Sequence, residues 1–253
     1  MEGPRAVAEA LAAGVVEELY LDEDAAAPIT AVPVQRVTAG VLAHLADATT
    51  PQGIVAVART PATTLADIGP GVVVVLDQVA DPGNAGTILR TADALGAAGV
   101  VLTRGSVDVY APKTVRAAVG STYHLPVVTG VSGAQVAAFA RDTDRRLVGL
   151  DAHAAPGLSA LAAAGGVVLV VGNEAHGLDP ATSALLDAHV AIPLHPRAES
   201  LNVAAAAAIA IHAAVYPARP DSPPDSPPGA ARPDRGAGAA AAPVPPADQE
   251  GAS

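Results

Sequence analysis

From Gly71 onward, short and largely apolar runs alternate with stretches of helical spacing. The runs predict strands at VVVVL (72–76), VVLT (100–103), LPVVTGV (125–131), RLVGLD (146–151) and GGVVLVVG (165–172). The first of them is continuously apolar, which suits a parallel strand covered on both faces. The stretches that predict helices between them lie at 85–97, 114–121 and 133–143. Alternation of this kind predicts an α/β fold, with a mostly parallel sheet and helices on both faces, for residues 71–216.

Residues 1–60 carry a second, smaller α/β pattern. Its predicted elements are a helix (4–14), a strand (VVEELYL, 15–21), a strand (VPVQRV, 32–37), a helix (39–46) and a strand (GIVAVA, 53–58). Residues 61–70 have the composition of a linker. Residues 217–253 are Pro, Ala, Gly, Ser and Asp without periodicity, so they predict a disordered tail.

The stretch from Ile192 to Ala214 leads from a strand end at 190–192, through a loop, into a helix of Ala, Ile and Val. Ser200 is a residue type that caps helices, and we expect its hydroxyl to accept from a first-turn N–H. The helix is apolar all round, which predicts burial on most of its faces. Polar groups at the mouth of such a helix suit a small-molecule site, although an ordinary capped core helix has the same pattern.

Composition narrows the classes of function. The chain has no cysteine, so disulfides and thiolate metal sites are excluded, and its seven histidines show no ligand spacing. We therefore expect no metal. No apolar run reaches the length of a membrane span, and the amino terminus lacks the pattern of a signal peptide, so we expect a cytoplasmic protein without a membrane partner. The net charge of −11 argues against a purely electrostatic nucleic-acid binder.

The first candidate site is the loop and helix start DQVADPGNAGTILRTA (77–92). Asp-Pro-Gly-Asn is a turn sequence, and Asn84 could cap the following helix. Asn84 and Arg90 are expected to line a cleft at the carboxyl end of a strand, where open α/β sheets bind ligands. The fixed donors of Arg90 suit a phosphate or a ribose hydroxyl. An ordinary strand-to-helix junction with an exposed arginine remains the alternative.

The second candidate site is LVVGNEAHGLD (169–179), in which a buried strand ends at Gly172. Glycine lets the backbone approach a ligand closely. Glu174 could accept hydrogen bonds from a ligand, or it could be a first-turn carboxylate favoured by the helix dipole. Neither segment has the spacing of a dinucleotide fingerprint, a P-loop or a nucleophile elbow, which weakens the oxidoreductase, NTPase and hydrolase hypotheses.

Taken in order, DPxNxGxxxRTA, GNExxGL and IPxxxxxESLNVAxA resemble the three motifs of the SpoU/TrmH family of RNA ribose 2′-O-methyltransferases, in the SPOUT superfamily. The resemblance covers about residues 72–215. Residues 1–60 also resemble the small RNA substrate-binding domain of the ribosomal-RNA branch, but without its basic leader, so we expect either a domain shortened at its amino terminus or a true start that lies upstream. His195-Pro196 departs from the usual third-motif loop, and residues 113–121 match more loosely.

The resemblance implies a deep trefoil knot at the C-terminal end of the fold and S-adenosylmethionine as cofactor. It also implies a homodimer that forms through the knot region. The implied catalytic residues are Asn84, Arg90, Glu174, Ser200 and Asn202, and the implied cofactor-binding residues are Gly172, Asn173, Glu174, Ile192 and Leu201. Guanidinium groups in general have a pKa above about 12. We therefore favour orientation of the phosphate and hydroxyl over proton removal as the role of the arginine.

The implied function is methyl transfer to a ribose 2′-hydroxyl of RNA, with large-subunit (23S) ribosomal RNA as the expected partner because the small N-terminal domain is present. A tRNA substrate is the alternative within the same class. An RNA-binding or ribosome-assembly protein that has lost catalysis is the alternative outside it, and the intact motif residues argue against that. Which RNA nucleotide is modified does not follow from the sequence.

Overall fold

The computed structural model of the chain describes residues 1–155, 157–162 and 166–217. The predicted tail therefore lies outside the described residues, apart from Pro217. The first 60 residues contain α1 (Pro4–Ala12), β1 (Val16–Asp22), β2 (Val34–Val37), α2 (Ala39–Leu45) and β3 (Ile54–Ala58). The strands form a three-stranded sheet in the order β2-β1-β3, in which β1 pairs parallel with β2 and antiparallel with β3. The predicted elements of this part of the chain are confirmed.

A second sheet has six strands: β4 (Val73–Leu76), β5 (Gly99–Thr103), β6 (Val127–Val131), β7 (Arg146–Leu150), β8 (Val167–Val171) and β9 (Ala188–Val190). Its order is β6-β5-β4-β8-β7-β9, and every neighbouring pair is parallel. The central strands β4 and β8 are buried along their whole length. This burial accounts for their continuous runs of valine and leucine, because helices cover both faces of each strand.

Five helices cover the second sheet: α3 (Pro82–Leu95), α4 (Pro112–Ala118), α5 (Gly133–Asp142), α6 (Pro180–Ser183) and α7 (Val203–Val215). One face of the sheet packs with α3, α4 and α7, and the other packs with α5. The predicted α/β architecture is confirmed. The trefoil knot stays a prediction, and no helix in the described part of the chain is long and apolar enough to cross a membrane.

The last helix differs from its prediction at its start. Its N-cap is Asn202 and not Ser200, because the Asn202 side-chain oxygen accepts from the N–H groups of Ala204 (2.9 Å) and Ala205 (3.3 Å). The helix is buried or half-buried on most faces, as predicted. Ala207 and Ile211 face the core, whereas Ile209 on the other side is 43% exposed. In the single chain α7 therefore keeps a narrow uncovered stripe, formed by Ala205, Ile209 and His212.

Close contact between α3 and α4 depends on Gly86. A Cβ atom at this position would lie 2.5 Å from the Ala117 Cβ and 2.8 Å from the Thr114 carbonyl oxygen. Replacing a helical glycine with alanine usually stabilises a helix by about 1 kcal/mol. Here the clash with the neighbouring helix reverses the sign.

Gly86→Ala is expected to lower the free energy of unfolding by about 1–3 kcal/mol, the usual cost of overpacking. Thermal unfolding followed by circular dichroism measures this. Gly69→Ala is the matched control, because a Cβ atom at Gly69 would meet nothing within 4 Å. Equal melting temperatures for both variants would contradict the importance of the close approach.

The loosely matching segment at 113–121 contacts the first 60 residues. Arg116 on α4 pairs with Glu2 and, at 3.0 Å, with Asp47. Just beyond it, the ring of His124 lies 2.8 Å from an oxygen of Asp93 on α3 and 3.1 Å from an oxygen of Glu9 on α1. Residues 113–124, to which no catalytic role is assigned, therefore hold the six-stranded part of the fold to the first 60 residues by ion pairs and hydrogen bonds.

His124 makes this junction sensitive to pH. The hydrogen bond to Asp93 raises the pKa of His124 above its ordinary value of 6.5. Burial opposes this rise, and the hydrogen bond to Glu9 adds to it. A raised pKa in the folded state contributes stability that is complete below pH 6.5 and is lost as the pH rises through the folded-state pKa. The melting temperature of the wild type should therefore exceed that of His124→Gln by more at pH 6 than at pH 9.

Differential scanning fluorimetry at the two pH values tests this prediction. His44→Gln, at an exposed position on α2, is the control substitution of a histidine that takes no part in this junction. A gap between wild type and His124→Gln that stays constant or widens toward pH 9 would show that His124 does not act through its charge.

Candidate active site

The carboxyl ends of β4, β5 and β8 meet at one edge of the six-stranded sheet, and the candidate residues gather there. Asp77 follows β4 directly and is 1% exposed. Its carboxylate accepts from the Thr103 hydroxyl (2.9 Å) at the end of β5 and from the Asp179 N–H (2.9 Å) at the start of α6. It therefore fixes the loops that surround the edge.

The start of α3 differs from the prediction. Asp81, and not Asn84, is the N-cap, and its carboxylate accepts from the Asn84 N–H at 2.8 Å. Pro82 takes the first helical position, where its missing N–H costs nothing. The Asn84 side chain is thereby left free to face the loops at the sheet edge.

Glu174 ties the second motif to the first. Its carboxylate accepts from the N–H groups of Ala80 and Asp81, both at 3.2 Å, and from the Asn84 amide at 3.0 Å. Burial acts to raise the pKa of Glu174, but these hydrogen bonds, with Asn84 the largest, outweigh it and leave the pKa below its ordinary value of 4.5. Glu174 is therefore ionised at neutral pH and its lone pairs are largely committed.

Asn202 brings the third motif to the same place. Its amide nitrogen donates to the Asn84 side-chain oxygen at 3.2 Å, while its oxygen caps α7. Glu174, Asn84 and Asn202 thus form one chain of hydrogen bonds between three segments that are about 30 to 120 residues apart. The sequence prediction that the three motifs meet holds for these three residues.

Arg90 and Ser200 lie outside this chain of hydrogen bonds within the described residues. Arg90 is exposed on α3, six residues after Asn84, which places it about 9 Å along the helix axis and about 120° around it. Ser200 is exposed in the loop before α7, two residues ahead of Asn202. Both side chains are exposed to solvent.

Gly172 and Asn173 shape the second loop. A Cβ atom on Gly172 would lie 2.4–2.5 Å from the backbone of Gly177 and Leu178, so glycine is required by the fold itself. The Asn173 side chain donates to the Gln78 carbonyl (2.7 Å) and accepts from the Ala175 and His176 N–H groups. This side chain holds the loops together, and the Asn173 backbone closes the loop on itself by pairing with Gly177 at 2.8 and 2.9 Å.

Ile192 and Leu201 border the remaining side of the edge. Ile192 is half-buried just beyond β9, and Leu201 is 38% exposed before α7. The Leu201 N–H has no hydrogen-bond partner in the described part of the chain. Apolar side chains beside unpaired backbone groups fit the adenine ring of the implied cofactor, and the described residues hold no cluster of His, Asp and Glu that could bind a metal ion.

Sequence reasoning missed Asp77 and Gln78. Gln78 has a φ of 58°, unusual for a residue with a side chain, and its carbonyl receives the Asn173 amide. The available signal was the position of Asp77: a carboxylate that directly follows a fully apolar strand must either reach solvent or find donors.

Comparison with known proteins places these features in a family. The SpoU rRNA Methylase family matches residues 71–212, and the family described as RNA 2′-O ribose methyltransferase substrate binding matches residues 1–64. The 23S rRNA (guanosine(2553)-2′-O)-methyltransferase RlmP of Bacillus subtilis is 35% identical over 84% of this chain and 86% of its own. The 23S rRNA (uridine(2479)-2′-O)-methyltransferase of Streptomyces viridochromogenes is 40% identical over 56% of this chain and 51% of its own.

Solved structures agree with the sequence matches. The SpoU methyltransferase AviRb from Streptomyces viridochromogenes, in complex with the cofactor AdoMet, has a TM-score of 0.76 at 32% identity, over 85% of this chain and 88% of that chain. An rRNA methyltransferase from Sinorhizobium meliloti has a TM-score of 0.75 at 29% identity, over 85% of each chain. This chain belongs to the SpoU rRNA methylase family.

Proposed function

We propose that the protein transfers a methyl group from S-adenosylmethionine to a ribose 2′-hydroxyl of 23S ribosomal RNA. The observation that carries this proposal is the chain of hydrogen bonds through Glu174, Asn84 and Asn202, which assembles the three family motifs at one sheet edge. The named 23S rRNA methyltransferases among its relatives support the substrate class. Work on ribosomal RNA would take place in the cytoplasm.

S-adenosylmethionine supplies an electrophilic methyl group when it is bound. The backbone beside Gly172, Asn173, Ile192 and Leu201 would hold it, with the two apolar side chains against its adenine ring. The remaining residues must orient the ribose, because a hydroxyl reacts only when it is aligned with the methyl group. The proton that the hydroxyl loses would pass to solvent water.

Arg90 is the proposed contact for the phosphate next to the target ribose, since its planar donors match phosphate oxygens. Ser200 and Asn202, at the mouth of the cleft, would orient the ribose. Glu174 has a lowered pKa and three donors already bound, so it is a poor proton acceptor. We assign it the positioning of the α3 start, where it fixes Asn84.

The uncovered stripe of α7 supports the proposed homodimer. Ile209 is 43% exposed, and Leu201 and Tyr216, at the two ends of the helix, are 38% and 56% exposed. Exposed apolar side chains grouped on one element are typical of an interface. Light scattering of the purified protein is expected to give twice the mass of the chain.

The decisive experiment uses purified protein with 23S RNA from a strain that lacks the corresponding methylation. We expect calorimetry to detect S-adenosylmethionine binding, and we expect one nucleotide to gain resistance to alkaline cleavage at its 3′ side. Cofactor binding without transfer to ribosomal RNA, but with transfer to tRNA, would favour the tRNA substrate. Absence of cofactor binding at millimolar concentration would favour a catalytically inactive RNA-binding protein.

A further inference from the structure

A cavity of about 380 Å³ lies away from the carboxyl edge of the sheet, beside the amino end of β6. One wall is the segment Pro61–Thr63 with Asp67, and the other is the turn that contains Tyr123 and runs into Val127. The segment at 61–63 is the end of the part of the chain that matches the substrate-binding family, and the turn with Tyr123 belongs to the part that matches the methylase family. The cavity therefore borders both parts.

Two hydroxyl groups in the lining are buried and unpaired within the described part of the chain: Tyr110 Oη and Thr122 Oγ1. Thr122 is 2% exposed. Burial raises the pKa of Tyr110 to about 12, so its hydroxyl stays protonated and able to donate. Buried polar groups in folded proteins are nearly always hydrogen-bonded, and an unpaired pair that lines one cavity indicates a missing partner.

The charged groups of the lining are already engaged. The Asp67 carboxylate accepts from the Thr64 N–H and hydroxyl, both at 2.8 Å. The two ring nitrogens of His124 face Asp93 and Glu9. What the cavity offers is two tyrosine rings, proline surfaces and hydroxyl groups. Such a lining fits a flat, uncharged molecule with hydrogen-bonding edges and does not fit a phosphate.

We propose that this cavity binds an unpaired nucleobase of the RNA substrate. The inference rests on the proposed function, because it takes RNA to be the molecule that spans both parts of the chain. Proteins that read single-stranded RNA stack splayed bases on aromatic rings and bond their edges, and Tyr110, Tyr123 and Thr122 provide these elements. A volume of about 380 Å³ has room for one base.

Tyr110→Phe and Thr122→Val test the hydroxyls, since each variant keeps the shape of its side chain and removes the unpaired oxygen. We expect KM for the RNA to rise about tenfold in each, the effect of one lost hydrogen bond, with kcat and S-adenosylmethionine affinity unchanged. Melting temperatures should stay equal or rise, because no internal hydrogen bond is lost. Thr143→Val, directly after α5 and across the sheet, is the control, for which KM should not change. A fall in melting temperature with unchanged KM would overturn the proposal in favour of a packing role.

Two binding measurements separate an RNA base from a free ligand and do not depend on catalysis. RNA that carries 4-thiouridine or 6-thioguanosine should photocrosslink to peptides containing Tyr110 or Tyr123. Saturation-transfer NMR with free uridine and guanosine reports whether a nucleoside alone binds. Nucleoside binding without crosslinking would indicate a small-molecule site and overturn the RNA proposal, as would the absence of both signals. If the wild type crosslinks at these peptides but methylates no RNA, the proposed function fails and the base-binding site stands.

Discussion

Replacing Arg90 with alanine is expected to reduce methyl transfer by about 100-fold or more, the usual effect of removing a donor that stabilises the reacting groups. Arg90 is exposed on α3, so the substitution removes no core contact and should leave the melting temperature unchanged. The affinity for S-adenosylmethionine should also remain, because the proposed cofactor positions lie on other loops. Single-turnover methylation of ribosomal RNA with a tritiated cofactor measures the transfer, and calorimetry measures the cofactor binding.

Arg141→Ala is the matched control, since Arg141 is equally exposed at the end of α5 on the opposite face of the sheet. Loss of activity in both variants would point to a general effect of charge on RNA binding. If Arg90→Ala retains both transfer and cofactor binding, the role assigned to Arg90 is wrong.

Replacing Asp77 with alanine is expected to give the largest loss of stability among the substitutions considered. The Asp179 N–H and the Thr103 hydroxyl would lose their acceptor in a site that is 1% exposed. Each buried donor left unpaired costs about 1–3 kcal/mol. The melting temperature should fall by several degrees, since about 1 kcal/mol corresponds to 2–4 °C for a chain of this size.

Asp77→Asn separates a structural loss from a loss of charge. Its amide oxygen can still accept from the Asp179 N–H, so this variant should lie between alanine and wild type in melting temperature. Methyl transfer should fall in the same order, because the loops that Asp77 joins carry the site. A melting temperature for Asp77→Ala equal to that of the wild type would contradict the role of the buried carboxylate.

The sequence predicted the strands well because their information is local. A run such as VVVVL at 72–76 can be satisfied only where both faces of a strand are covered, and β4 is buried at every position. The meeting of the motifs was also predictable once the family resemblance was recognised. The resemblance predicts that the three motifs lie together, whereas the hydrogen bonds that join them are known only from the structure.

The helix caps show where local reasoning fails. Ser200 and Asn202 are both good cap residues, as are Asp81 and Asn84, and residue type alone does not choose between them. In each case the choice depends on how the preceding loop enters the helix. At α7 the other end of the Asn202 amide binds Asn84, 118 positions earlier, and no local pattern records that contact.

The apolar pattern of α7 correctly predicts burial on most of its faces, but it does not predict the stripe that stays exposed. An apolar helix indicates that its faces are covered, but it does not indicate whether the cover is the same chain or a second one. Ile209 is exposed in the single chain, so its apolar character reports on a surface rather than on the core. Asp77 was missed because its donors come from Thr103 and Asp179, which become neighbours only in the folded sheet.

The bond between Asn84 and Asn202 sets the order in which a newly made chain can become an enzyme. During synthesis the residues through Gly172 emerge first and can already pair as strands, yet Asn84 then has no carboxamide opposite it. Asn202 reaches Asn84 and completes the cleft only after α7 has left the ribosome and packed against α3. Any fragment that stops short of residue 203 should therefore be incapable of turnover, however well its sheet has formed.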